Sequence, residues 1–308
     1  MSRLARMLLP IAPVLLVACG GDEPPAEPVD ENVLYAETGE FEAPPGDSFE
    51  CFYTNTVTDR ELAVYDAFGY QDSGGHHLTA YWTDIVREPQ HHPCQDDEMV
   101  AWHQIAGASP TRPDEPGVLS LPEGMANRVP AGKQLVLQAH YINTTGAPQK
   151  VNDWIKLRLI EPEKVESYVN YFVPLDDKFE IAAHATSTST TICTLERDFQ
   201  IILGLPHMHE WGKDFKLERL DDQGNVAEVL LDTVWSPEYS SHPPVTRYTK
   251  EQPLVLTKGT RLRQTCTWDN TTADPLIFPR EMCLSFFLYF PDDEGNLTCN
   301  TQPEEVSP

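Results

Sequence analysis

Alternation of apolar and polar residues with a period of two is the feature that most restricts how this 308-residue chain can fold. In residues 154–160, Ile155, Leu157 and Leu159 alternate with polar residues, as in a strand with one buried and one solvent-facing side. Similar short β-rich runs bounded by turn residues occur downstream, at residues 254–256, 261–268 and 283–290. No long stretch has the period of an amphipathic helix. The pattern therefore predicts an all-β fold built from sandwiches or barrels.

The N-terminal segment has the composition of an export signal. Arg3 and Arg6 precede an uncharged apolar run at residues 7–17, which is too short for a comfortable membrane span. The run ends in the sequence LVAC, which resembles the lipobox of bacterial lipoproteins and places its cysteine at Cys19. We therefore expect a signal peptide at residues 1–18 and lipidation of Cys19. The protein would then lie in the bacterial cell envelope, outside the cytoplasm, with the lipid as its only membrane attachment.

Changes in composition divide the rest of the chain. Residues 19–47 combine prolines with acidic residues and cannot bury a core, so we expect a lipidated, unfolded tether. The remainder, about 260 residues, is long enough for two domains. A charged, proline-containing break at residues 161–164 predicts the boundary between them. The expected domains are residues 48–162 and 163–303, followed by a tail at 304–308.

The charge balance limits the partners that the chain can bind. It has 48 acidic and 22 basic residues, a formal net charge of −26. Such an excess of negative charge argues against binding to nucleic acid and against electrostatic attraction to anionic lipid. The acidic residues are scattered and do not form a repeat of the kind that binds calcium. We interpret the acidity as a contribution to solubility.

The cysteines predict disulfide bonds. Seven are present, and six remain if Cys19 is lipidated. An even number in an oxidising compartment predicts three disulfides. If each domain closes its own bridges, Cys51 pairs with Cys94, because they are the only two cysteines of the first domain. The pairing of the other four is left open by this reasoning; they are Cys193, Cys266, Cys283 and Cys299.

Three histidines of the first domain form a candidate metal site. Adjacent side chains on a regular strand point to opposite faces, so His76 and His77 can bind one metal only at a strand end or bulge. The two glycines before them permit such a distortion. His140, at the end of an apolar strand, would supply a third imidazole, which suits copper or zinc. We interpret the other adjacent pair, His91 and His92, as a surface coincidence.

A second candidate site lies in the second domain. His207 and His209 are two residues apart, so on a strand both imidazoles project from one face, a spacing that suits chelation. Met282 precedes a β-rich run that could carry its thioether towards the same metal, and thioether sulfur favours Cu(I). A lone methionine is usually core filler. Three further histidines are interpreted as structural or exposed: His103, His184 and His242.

The order and spacing of these residues resemble those of the copper type II, ascorbate-dependent monooxygenases, which include peptidylglycine α-hydroxylating monooxygenase and dopamine β-hydroxylase. The resemblance extends over about residues 49–301 and includes residues 101–102, 110–112 and 135–141. It implies two tandem jelly-roll β-sandwich domains. Each domain would hold one copper ion, and the two ions would face each other across a solvent cleft.

The resemblance also implies a role for each ligand. The electron-supplying copper would be held by His76, His77 and His140, and the catalytic, oxygen-binding copper by His207, His209 and Met282. Gln138 matches a glutamine beside the first ion. The implied disulfides are Cys51–Cys94, Cys193–Cys299 and Cys266–Cys283. The last of them would fix the position of Met282.

The family reaction is hydroxylation of a substrate C–H bond with O2 and a reductant such as ascorbate. Members that amidate peptides have an arginine two residues before the His-x-His and a tyrosine four residues after the methionine, which together hold a peptide carboxylate. This chain has Leu205 and Phe286 there, so we expect an apolar pocket for a neutral or aromatic small molecule. The alternatives are a non-catalytic copper-binding lipoprotein of the envelope on the same fold, or a structural β-sandwich with incidental histidines.

Overall fold

The prediction of an all-β fold is confirmed by the computed structural model. It describes residues 32–95, 98–108, 117–240, 242–278, 280–292, 295, 297–300 and 302–303. Within these ranges the chain forms β-strands and three short 3-10 helices, with no α-helix. No helix in the described ranges is long and apolar enough to cross a membrane. The signal peptide, Cys19, residues 110–112 and the tail at 304–308 lie outside the described residues.

The N-terminal half forms two facing sheets. Its strands are β1 (Val33–Ala43), β2 (Gly46–Val57), β3 (Leu62–Tyr70), β4 (Gly75–Thr83), β5 (Gln90–Pro93), β6 (Trp102–Ala108), β7 (Gly117–Ser120), β8 (Met125–Val129), β9 (Gln134–Asn143) and β10 (Gln149–Ile160), with a 3-10 helix at Met99–Ala101. One sheet has the order β5-β2-β9-β4-β6, and the other contains β1-β10-β3-β8. Apolar residues of both sheets, including Leu78, Leu137 and Ile155, form one buried cluster. The two sheets therefore pack as a sandwich.

The C-terminal half repeats this plan. Its strands are β11 (Ser167–Asp176), β12 (Glu180–Ile181), β13 (Ala185–Thr194), β14 (Phe199–His207), β15 (Gly212–Leu220), β16 (Val226–Val234), β17 (Thr246–Arg247), β18 (Leu254–Leu256), β19 (Arg261–Asn270), β20 (Leu276–Ile277), β21 (Cys283–Phe290), β22 (Leu297–Asn300) and β23 (Gln302–Pro303), with a 3-10 helix at Pro237–Ser240. One sheet has the order β16-β15-β19-β13-β23 and the other contains β11-β21-β14-β17. Phe215, Trp268 and Phe287 are fully buried between them.

One sheet runs through both halves. The predicted boundary at residues 161–164 coincides with a 3-10 helix, Pro162–Lys164, between β10 and β11. Beyond it, β11 pairs in parallel with β8, and this pairing joins the two large sheets into one. A separate apolar cluster of Met125, Val169, Leu203 and Leu288 draws on both halves. The described residues of the two halves therefore form one continuous structure.

The tether predicted for residues 19–47 is too long. Residues 33–43 form β1, which pairs with β10 at the edge of the large sheet, and β2 begins at Gly46. Phe41 and Ala43 are buried, so this segment contributes to the core despite its prolines and acidic residues. Composition missed the strand because only some of its side chains face the core, and the rest are polar.

Three disulfides are formed, with the pairing that the family resemblance implies. Cys51 is joined to Cys94, Cys193 to Cys299, and Cys266 to Cys283. Each bridge stays within one half of the chain. The third bridge ties the first residue of β21 to β19 and thereby restrains the residue just before it, Met282.

Candidate metal centres

A β-bulge brings the three histidines of the N-terminal half together. Between β4 and β9, Gly75 pairs with Tyr141 and His77 pairs with His140, so His76 is an extra residue on its strand. At a bulge, adjacent side chains no longer point to opposite faces of the sheet, so His76 and His77 can both approach His140. The backbone requires glycine here, because a Cβ atom on Gly75 would lie 2.3 Å from the Cβ of Gln71.

The three imidazoles converge through their Nδ1 atoms. Nδ1 of His140 lies 3.1 Å from Nδ1 of His76 and 3.4 Å from Nδ1 of His77. All three ligand nitrogens lie within 4.8 Å of one another, which is close enough to share one metal ion. Phe49 stacks on the ring of His140, with ring centroids 3.9 Å apart. The packing therefore fixes the ring plane of at least one ligand before any metal binds.

Asp47 fixes the tautomer of His140. Its Oδ1 lies 2.6 Å from Nε2 of His140, so Nε2 carries the proton and donates a hydrogen bond to the carboxylate. Nδ1 is then left with a free lone pair facing the other two histidines. A carboxylate behind a histidine ligand in this way orients the ring and raises its basicity. Burial alone acts to raise the pKa of Asp47, but the hydrogen bond and attraction from His140 outweigh it and lower that pKa.

The environment favours neutral imidazoles, which is the form that binds metal. Burial, together with repulsion from His140, lowers the pKa of His76 to about 4. Burial also lowers the pKa of His77 well below its usual value, and that of His140 despite the opposing effect of Asp47. At neutral pH the three rings therefore offer lone pairs rather than protons.

The second group of ligands lies at the end of β14. His207 is the last residue of the strand, and His209 follows two positions later. Their rings are 5.0 Å apart at the centroids and nearly perpendicular, with the intervening Met208 fully buried on the other side. Nδ1 of His209 donates a hydrogen bond to the carbonyl of Arg280 at 3.0 Å, which leaves its Nε2 free as a ligand atom. Burial, and then repulsion from His209, lowers the pKa of His207 well below its usual value.

Glu281 holds the backbone around the second group. Its carboxylate accepts hydrogen bonds from the backbone N–H groups of His209 at 3.2 Å and Met282 at 3.0 Å. It also accepts the indole N–H of Trp268 at 2.8 Å and the backbone N–H of Trp211 at 3.1 Å. Burial raises the pKa of Glu281 against the lowering effect of these contacts. This one side chain therefore links the segments that carry His209 and Met282.

Both groups face the same cavity. Its volume is about 560 Å³, and its lining includes His77 from the first group and His207, His209 and Met282 from the second. Each group contributes, through charge repulsion, to the low pKa values of the other: His207 acts on His77, and His140 acts on His207. The fold therefore places two sets of soft or borderline ligands around one space large enough for a small organic molecule.

The remaining candidates from the sequence have other surroundings. Gln138 is buried beside the first group, where its amide N–H lies 3.3 Å from the sulfur of Met99. His91 pairs with Glu50 at 2.8 Å and stacks on Phe52, away from the cavity. The other unassigned histidines differ: His103 stacks on Trp82, His184 has a positive φ of 51°, and His242 lines the cavity.

Sequence reasoning missed two side chains of these centres, Asp47 and Glu281. Asp47 was assigned to the tether, yet it lies on β2, opposite Ile142 of β9. Glu281 adjoins Met282 in sequence, but its hydrogen bonds reach residues about 70 positions earlier in the chain. No local spacing reveals either role. The one available signal for Glu281 was a carboxylate inside an otherwise apolar run.

Histidine and methionine side chains around one cavity make the protein, by the chemistry of these groups, a candidate copper protein. Residues 166–306 match the family model of the copper type II ascorbate-dependent monooxygenase C-terminal domain. This part of the chain is therefore similar to that C-terminal domain. The match contains His207, His209 and Met282, whereas the three histidines of the first group precede it.

Other comparisons give only weak similarity. No curated protein matches the chain significantly. The glycosylasparaginase PNGase F from Flavobacterium meningosepticum aligns at 10% identity and a TM-score of 0.35, covering 88% of this chain and 98% of that one. A triple jelly-roll turret protein of an archaeal virus aligns at 8% identity and a TM-score of 0.23 over 84% of this chain. The chain spans 60% of the length of that viral protein. Both TM-scores are too low to establish a common fold.

Proposed function

We propose that the protein is a copper-dependent monooxygenase that hydroxylates a C–H bond of a small organic substrate with O2 and a reductant such as ascorbate. The observation that carries the proposal is the cavity of about 560 Å³ between the two ligand groups, which both groups line. The family match over residues 166–306 supports the same chemistry for the second group. Two copper ions per chain, one at each group, are part of the proposal.

The ligand sets fit copper. His76, His77 and His140 present three neutral imidazoles, a set suited to copper, while a thioether beside His207 and His209 favours Cu(I). Copper bound at these sites would supply the electrons and the oxygen-activating centre for hydroxylation.

The chain's own residues prepare this chemistry. Asp47 keeps the proton of His140 on Nε2, and the backbone carbonyl of Arg280 keeps the proton of His209 on Nδ1. The opposite nitrogen of each ring is therefore available to a metal without rearrangement. Leu203, Leu205 and Phe286 line the cavity with apolar surface, which limits water around a bound substrate.

We also propose, from the sequence features of the first 19 residues, a lipid-anchored location in the cell envelope. Three disulfides are consistent with folding in an oxidising compartment.

The test is the copper content of the dialysed mature chain. Wild type should hold two copper ions, and a double variant with His207→Ala and His209→Ala should hold one. The matched control is the double variant His91→Ala and His92→Ala, which removes two adjacent histidines away from the cavity and should retain two ions. Copper-free wild type after loading and dialysis would disprove the proposal.

Turnover separates the enzyme from a copper-binding protein without activity. With ascorbate as reductant and a panel of small aromatic substrates, wild type should consume O2 in a substrate-dependent way. Met282→Ala should abolish this consumption, because the thioether completes the second ligand group. Two bound coppers without substrate-dependent O2 uptake would favour the non-catalytic envelope copper binder. Uptake that survives Met282→Ala would reject the role of this residue.

A further inference from the structure

The floor of the cavity is an apolar face of the large sheet. Leu203, Leu205 and His207 alternate along β14, so their side chains share one face, and all three line the cavity. On the neighbouring β21, Leu288 pairs with Leu203 and Phe286 pairs with Leu205, and both also line the cavity. A substrate lying on this floor therefore meets hydrocarbon over most of its length.

Arg247 lies beside this floor at the end distant from the metal ligands. It belongs to β17, where it pairs with Leu203 of β14 on the side opposite to β21. Paired residues of neighbouring strands project to the same side of a sheet, which agrees with the presence of Arg247 in the cavity lining. His207 lies four positions after Leu203, the partner of Arg247, which is about 13 Å along the strand.

Charge within the cavity is concentrated on this residue. Among the described residues of the lining, Arg247 is the one side chain with a permanent charge, and no carboxylate accompanies it. The other polar side chains of the lining are hydroxyl, amide and imidazole groups.

Within the described ranges Arg247 has no acidic partner, although the chain has 48 acidic and only 22 basic residues. Basic residues on other strands do find one: Arg263 pairs with Glu218 at 2.7 Å and Arg158 with Asp66 at 3.1 Å. In the part of the chain that the structure describes, no ion pair involves Arg247. Its side chain is exposed, so water hydrates the guanidinium when no ligand is bound.

From these observations we propose that Arg247 anchors the anionic end of the substrate, which is a small apolar carboxylic acid. This rests on the proposed function and specifies its substrate class. A guanidinium binds a carboxylate through two parallel hydrogen bonds. It thereby compensates the negative charge of the carboxylate, which the apolar floor is unable to do. The apolar body would extend along Leu203 and Leu205 towards His207. The inference replaces the neutral substrate expected from the sequence.

The experiment measures binding rather than turnover. Phenylacetate, 3-phenylpropanoate and 4-phenylbutanoate are titrated calorimetrically into the mature chain, each against its carboxamide, in copper-loaded and in metal-free protein. At least one acid should bind more tightly than its amide in both forms. Arg247→Gln should weaken binding of that acid by about 10- to 100-fold, because a charge-assisted pair is lost, and should leave the amide unchanged. Arg247→Lys should retain part of the preference, since it keeps the charge without the paired geometry.

Arg60→Gln is the matched control, because it removes one exposed arginine outside the cavity and alters the net charge equally. Its binding of acids should equal that of wild type. The inference is overturned if no acid is preferred over its amide, if Arg247→Gln keeps the preference, or if the preference exists only in copper-loaded protein, where the acid would bind the metal. Because copper content is measured separately, loss of the anion preference with two coppers bound rejects this inference alone. An acid preference in wild type that holds no copper after loading and dialysis rejects the proposed function alone.

Discussion

The hydrogen bond between Asp47 and His140 shows how one side chain prepares a ligand. Because Oδ1 of Asp47 accepts the Nε2 proton at 2.6 Å, the lone pair on Nδ1 points to His76 and His77. Asp47→Asn would remove the negative charge and weaken the preference of His140 for the tautomer that has its proton on Nε2. We expect the affinity of the first site for Cu(I) to fall about 10- to 100-fold, as for other supporting residues of metal ligands. Competition with a chromogenic Cu(I) chelator measures the affinity.

Asp59→Asn is the control for this variant, because Asp59 is an exposed acid in the turn between β2 and β3. It should leave both copper affinities at the wild-type level. Since the side chain of Asp47 is hydrogen-bonded to His140 of the first group, the second copper of Asp47→Asn should be held nearly as in wild type. Equal weakening of both coppers would point to a general loss of structure, and unchanged affinity would show that the hydrogen bond has no influence on the metal.

The candidate ligands could be identified in the sequence because their chemistry is visible in short spacings. His76 and His77 are adjacent and follow two glycines, and His207 and His209 have the period of a strand. Asp47 could not be predicted, because its role depends on the register that places β2 beside β9. The same limit applied to the fold: alternation identified the strands, whereas the parallel pair of β8 and β11 depends on contacts distant in sequence.

At the scale of strands, the two halves use the same turn after corresponding strands. In the first half, the side-chain amide of Asn143 donates to the carbonyls of Ala43 and Ala147, and its oxygen accepts from Thr145. Asn270 at the end of β19 makes the same kind of contacts in the second half. Both asparagines are buried, so their hydrogen bonds are made without competition from water.

Asn143→Ala should therefore destabilise the protein. The change removes the hydrogen bonds of a buried amide and leaves the carbonyl of buried Ala43 unsatisfied, so we expect a loss of about 2–3 kcal/mol in the free energy of unfolding. Urea denaturation followed by tryptophan fluorescence measures it. Thr144→Ala is the control, since Thr144 is exposed at the tip of the same turn and should change stability by less than about 0.5 kcal/mol. Similar effects of the two variants would mean that the buried hydrogen bonds contribute little.

At the scale of the molecule, the position of the cavity depends on how firmly the two halves are joined. The parallel pairing of β8 with β11 continues one sheet across the boundary, and Met125 on β8 is fully buried in the apolar cluster that both halves share. Leu203 and Leu288 belong to that cluster and also line the cavity. The shared cluster and the cavity wall are therefore parts of the same packing, so a change in one is transmitted to the other.

This shared packing predicts that both halves unfold together. Scanning calorimetry of the mature chain should show one transition, because separating the halves exposes Met125 and its neighbours. Met125→Ala should lower the free energy of unfolding by about 2–5 kcal/mol, the usual cost of such a truncation in a core. Val255→Ala, at an exposed position of β18, should leave the transition unchanged. Two resolved transitions in wild type, or a Met125→Ala effect confined to one of them, would show that the halves are independent. The cavity would then be held in place by the bound metals and substrate rather than by the fold.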